Sequence, residues 1–203
     1  LMNRASTELS YMDDFSDKTA FLTELASRLY GKSRASKVAD AWSAFETGYR
    51  NYPTNIMFSY YGPMHDGVVW DLSPIPVNLS LPRSWQLTDP PDGDRIGECL
   101  FNGHTIDEAI TLSERMCKAW DRGLDLLPLS EGDEHVSCAE AIGILFRSGK
   151  NILEFYKLRN ILGTGADDPY ATVEKMENIV KEEIAHSKGM IELCSSDPRL
   201  GYH

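Results

Sequence analysis

Glu183 and His186 stand three residues apart, a spacing that puts a carboxylate and an imidazole on one face of a helix. Paired with a second such motif and two further inward carboxylates, that arrangement holds a di-iron centre in helical bundles. Here the motif occurs once, so a solvated helix face is the expected role. His135 follows Glu131, Asp133 and Glu134, and those acids complement the positive end of a helix that starts there. Neither cluster calls for a metal, and the sequence implies no cofactor. The chain holds no HExxH, Walker A, GxSxG or glycine-rich dinucleotide motif. Glycosidic cleavage requires two carboxylates held on opposite sides of a sugar. The acids here fall mostly on polar helix faces, and none is marked out as a pair, so no catalytic residue is assigned.

The stretch from Tyr60 to Trp70, YYGPMHDGVVW, carries the most information. Aromatic rings with polar neighbours can stack on sugar rings. They can equally join a segment to an adjoining domain, since Tyr and Trp bury a large area while satisfying a polar tip. The interface role is favoured, with sugar contact and local packing as alternatives. The candidate residues are Tyr60, Tyr61, His65, Asp66 and Trp70.

These residues need elements to position them, and the elements read as helices. Phe21, Leu22, Leu25, Ala26 and Leu29 share one face of a helix from Ser16 to Tyr30, stopped by Gly31. A second helix from Arg34 to Tyr52 has Val38, Trp42, Phe45 and Tyr49 as its stripe and ends at Pro53. Residues 1–53 thus read as a polar lead-in and a helical hairpin. Residues 54–104 differ in kind. Prolines are dense there, and an extended segment rich in proline and aromatics is expected, with short strands near Ile56–Tyr60 and Val68–Trp70.

Residues 105–203 read as a three-helix antiparallel bundle. Thr105 and Glu108 form a capping box that opens the first helix. A long helix follows from about Glu131 to Leu162. Asp168 and Pro169 then read as a cap and first residue of a last helix, whose expected inward stripe is Val173, Met176, Val180, Ile184, Met190 and Ile191. The three parts are expected to pack as one all-α domain.

The 203 residues are 42% hydrophobic and 25% charged, ordinary values for a globular chain. A net charge of −11 with no Lys/Arg cluster excludes a phosphate backbone as partner and disfavours anionic membrane surfaces. No apolar run approaches the roughly 18 residues of a membrane helix. Four widely spaced cysteines read as buried or idle thiols and leave the compartment open.

Several motifs together carry a resemblance. They are Leu25-Ala26-x-x-Leu29-Tyr30-Gly31, Val38-x-x-Ala41-Trp42-x-x-Phe45, Tyr52-Pro53, Tyr60-Tyr61-Gly62-Pro63, and the closing run Ile191 to His203 with Asp197-x-Arg199-Leu200-Gly201. The chain resembles the helical region that follows the catalytic barrel in bacterial proteins related to glycoside hydrolases. The resemblance implies catalytic acids on an upstream (β/α) barrel of the same parent chain. This region would then be a non-catalytic accessory domain packed on that barrel, with Tyr60, Tyr61, His65, Asp66 and Trp70 at the edge of a sugar cleft. An independent carbohydrate-binding module and a helical protein-interaction domain are the alternatives. A hydrophobic stripe left outside the bundle would mark the last of these.

Overall fold

The computed structural model describes residues 2–11, 17–64, 72–75, 95–100, 103–127 and 134–200. Among them all regular structure is helical, in agreement with the all-α reading. Eight helices follow in order: α1 (Met2–Leu9), α2 (Lys18–Tyr30), α3 (Ala35–Tyr49), α4 (Ile56–Tyr61), α5 (Arg95–Leu100), α6 (Ile106–Leu126), α7 (Glu134–Thr164) and α8 (Pro169–Ser196).

Local chemistry sets the ends. The Asp17 carboxylate accepts from the Ala20 amide to open α2, and Gly31, with φ 85°, closes it. The capping box of α6 is complete: Thr105 Oγ1 accepts from the Glu108 amide, and Glu108 accepts from the Thr105 amide at 2.8 Å. A cap of this kind stabilises by about 1 kcal/mol. Asp168 caps α8 with Pro169 as its first residue.

The polar lead-in contributes α1, beyond the sequence expectation. The expected strand at Ile56–Tyr60 is a correction: the Asn55 side chain accepts from the Phe58 amide at 2.8 Å and starts α4 instead. Apolar alternation over so short a run does not separate the two states, whereas the cap does. Val68–Trp70 lies outside the described residues.

The long helices pack in sequence. α2 lies against α3, α3 against α6, α6 against α7, and α7 against α8. Close approach is visible at two glycines. A Cβ on Gly48 would meet the Met116 carbonyl oxygen at 3.1 Å, and one on Gly123 would meet the Phe45 ring at 2.4 Å. That register makes α3 and α6 antiparallel. Asp107 pairs with Lys157 and Asp121 with Arg147, so α6 and α7 are antiparallel too.

A main apolar core joins α4 to α8, and a smaller cluster of Ala26, Ala35 and Val38 joins α2 to α3. Phe58 and Met64 from the α4 region and Ile96 and Cys99 from α5 are buried with Met116, Trp120, Phe146, Ile152, Leu153 and Tyr156. Parts of residues 54–104 are therefore sewn into the core of the helices that follow. The Trp120 indole lies 4.4 Å from Phe45 and 5.0 Å from Phe146 between ring centroids, and its Nε1–H donates to the Ala139 carbonyl at 2.8 Å. The indole thereby buries its ring without leaving its polar tip unsatisfied.

Not every residue of the expected stripes faces inward. Tyr49 is exposed on α3. On α8, Met176 and Ile179 are buried, but Val173, Val180, Ile184 and Ile191 are 41%, 36%, 51% and 65% exposed. The helix carries two neighbouring apolar faces, and α7 covers only one.

Candidate functional site

Tyr60 and Tyr61 close the backbone of α4, but their side chains lie outside the described residues, as do His65, Asp66 and Trp70. The structure shows what holds the start of this stretch in place. Gly62, Pro63 and Met64 are buried, and Met64 reaches Gly149 on α7.

The Glu183–His186 pair is a correction to the expected solvated face. Glu183 is 7% exposed and faces α7. Ser148 donates to its Oε2 at 2.5 Å, Asn151 donates to its Oε1 at 3.0 Å, and His186 Nδ1 lies 3.0 Å from the same Oε1. The Asn151 amide also reaches Glu182 at 3.0 Å. Burial, the largest influence, pushes the Glu183 carboxyl up, but the bonds from His186, Ser148 and Asn151 outweigh it and hold the group below its ordinary value. The signal in the sequence was incomplete, because Ser148 and Asn151 lie on another helix at no motif spacing.

The chemistry of this cluster is that of a lock. In a nucleophilic triad the imidazole stands between hydroxyl and carboxylate, so that it can take the hydroxyl proton. Here the carboxylate stands in the middle, and Ser148 spends its proton on Glu183. Among the described residues no group of three His, Cys, Asp or Glu is placed to hold a metal ion.

Among the described residues, surface grooves accompany the helix seams. One of about 710 Å³ lies between α3 and α6, where Arg115, Lys118 and Arg122 face Asp40, Thr47 and Asn51. A second, of about 420 Å³, is bordered by Glu114 on α6, Lys150 and Glu154 on α7, and Lys175 and Glu182 on α8. Burial pushes the Glu154 carboxyl up, and Lys150 at 3.6 Å opposes that shift.

The remaining feature is the outer face of α8. Val173, Val180, Ile184 and Ile191 are spaced seven, four and seven residues apart. At about 100° per residue they fall within about 40° of arc, a straight stripe along the helix. Tyr170, 89% exposed, stands one turn before it. No helix among the described residues is long and apolar enough to cross a membrane.

The closing motif of the sequence has a local role. Asp197 accepts from Arg199 Nε at 2.7 Å, Nη2 at 2.6 Å and the backbone amide at 3.1 Å, which fixes the turn after α8. Comparison of the chain with known protein families, with curated proteins and with solved structures finds no match.

Proposed function

We propose that this chain is a helical protein-interaction domain that works by docking protein surface against the outer face of α8. The observation that carries this reading is the stripe of Val173, Val180, Ile184 and Ile191, four branched apolar side chains in line and outside the core. Scattered exposed apolar residues are ordinary, whereas an aligned set along one helix is the pattern of helix-mediated recognition. The resemblance read from the sequence would make that domain a non-catalytic accessory part of a carbohydrate-processing parent related to glycoside hydrolases, whose catalytic acids would stand on another domain. In that parent, Tyr61→Ala with Trp70→Ala is expected to weaken sugar binding if the aromatic stretch edges the cleft.

The docking reading is tested by replacing Ile184 with the photo-crosslinking residue p-benzoylphenylalanine in the intact protein. Glu174, on the polar side of α8, receives the same residue as a control. Mass spectrometry then identifies the captured peptide. Capture of a defined protein segment from position 184 and not from position 174 is expected. Equal, non-specific labelling at both positions overturns the reading.

A further inference from the structure

The spacing of the α8 stripe carries information about what covers it. Val173, Val180, Ile184 and Ile191 are placed symmetrically about the level of residue 182: Val180 and Ile184 lie two residues either side, Val173 and Ile191 nine. A stripe that docks on an unrelated surface has no need of that symmetry. An antiparallel copy of the same helix does, because a two-fold axis maps each residue onto the position equally far on the other side. From this, and resting on the docking role of the α8 face, we propose that the occupant is a second copy of this chain, its α8 antiparallel to the first about a two-fold axis at residue 182.

In that pairing Val180 of each copy meets Ile184 of the other, and Val173 meets Ile191. The matched stripe is about 27 Å long at 1.5 Å per residue. Charges along its edge agree with the same register. Glu177 and Lys188 both flank the stripe on the side away from α7, about 40° and 60° round from Val173. Both are exposed, and neither has an ion-pair partner among the described residues. The two-fold axis brings Glu177 to the level of residue 187 of the other copy, within about 1.5 Å along the axis of Lys188. Each interface therefore gains two Glu177–Lys188 pairs. In a single helix the two residues are eleven apart, too far to pair. Lys181 lies further round, towards the rim, where the long side chains of the two copies can splay apart.

The test is sedimentation velocity of the chain over a concentration series, with three variants. The unchanged chain is expected to pass from monomer to dimer as concentration rises. Ile184→Lys, which introduces a charge at the centre of the stripe, is expected to stay monomeric with an unchanged helical circular dichroism spectrum. Glu177→Lys alone sets lysine against lysine twice and is expected to weaken the dimer about tenfold. Adding Lys188→Glu to it reverses both pairs and is expected to restore the dimer. A merely structural effect of either substitution would give no such rescue. A chain that stays monomeric at every concentration, or a double variant no better than the single one, overturns the proposal. If position 184 then still captures a segment of another polypeptide, the docking role stands and only the second copy falls. If it captures nothing, both fall.

Discussion

Ser148 donates its hydroxyl proton to Glu183 Oε2 at 2.5 Å, and so ties α7 to α8 through a carboxylate that is 7% exposed. The bond defines how α8 is turned. With Glu183 held on α7, the stripe of Val173, Val180, Ile184 and Ile191 lies about 60–100° round the helix and faces outward.

Because hydrogen bonding holds the Glu183 carboxyl below its ordinary value, its sign of pH dependence is fixed. The folded chain keeps the proton off more readily than the unfolded one. The contribution is therefore complete above the unfolded glutamate value of about 4.3 and fades as pH falls through the lower folded value. Glu183→Gln is expected to lower stability by about 1–2 kcal/mol at neutral pH. Denaturant titrations of both proteins from pH 7 to pH 3 should show that difference shrinking on the acid side. A difference independent of pH would contradict the ionised lock.

Gly123 on α6 sits under the Phe45 ring, and an added Cβ would stand 2.4 Å from it. The ring is itself packed 4.4 Å from Trp120, so it has little room to swing. Gly123→Ala raises helix propensity by about 1 kcal/mol, yet overpacking costs about 1–3 kcal/mol. A net loss of stability and a lower Tm are expected on thermal unfolding. A gain in Tm would mean that α3 and α6 can separate freely.

The cysteines should divide by burial. Cys117 is pushed up to about 11, chiefly by burial, with Lys150 drawing it down and Asp121 adding to the rise. Cys138 is exposed on α7. Alkylation at pH 8 under native conditions is expected to modify Cys138 within minutes and to leave Cys117 intact until the chain unfolds, since the thiolate is the reactive form. Equal rates at the two residues would contradict the packing of α6 on α7.

The helices were legible in the sequence wherever their ends carry chemistry. Thr105 and Asp168 cap as their spacing implies, because a cap is decided by residues three positions apart, while Asp17 caps a helix that the apolar stripe alone starts at Ser16. Burial was less legible, because it depends on what stands opposite. Val180 and Met176 look alike as parts of one stripe, yet α7 covers Met176 and leaves Val180 exposed. Glu183 shows the converse. A carboxylate in a polar run looks solvated until Ser148 and Asn151 arrive from a helix more than thirty residues away. The short α4 was missed because six residues are too few to show helical periodicity, and only Asn55 signals its start. Of the candidate aromatic site, the backbone of Tyr60 and Tyr61 is placed in α4, and the rest lies outside the described residues.

The most direct measurement of the central claim is photochemical carbene labelling of the intact protein, which marks aliphatic side chains in proportion to their exposure. In isolation Ile184 and Ile191 are 51% and 65% exposed, and both should label strongly. If the outer face of α8 is a docking surface, labelling across residues 173–191 falls well below that level at working concentration. It then rises in the Ile184→Lys variant, while Tyr170 serves as the exposed reference on the same helix. Full labelling of the stripe in the unchanged protein, indifferent to concentration and to Ile184→Lys, would contradict the account.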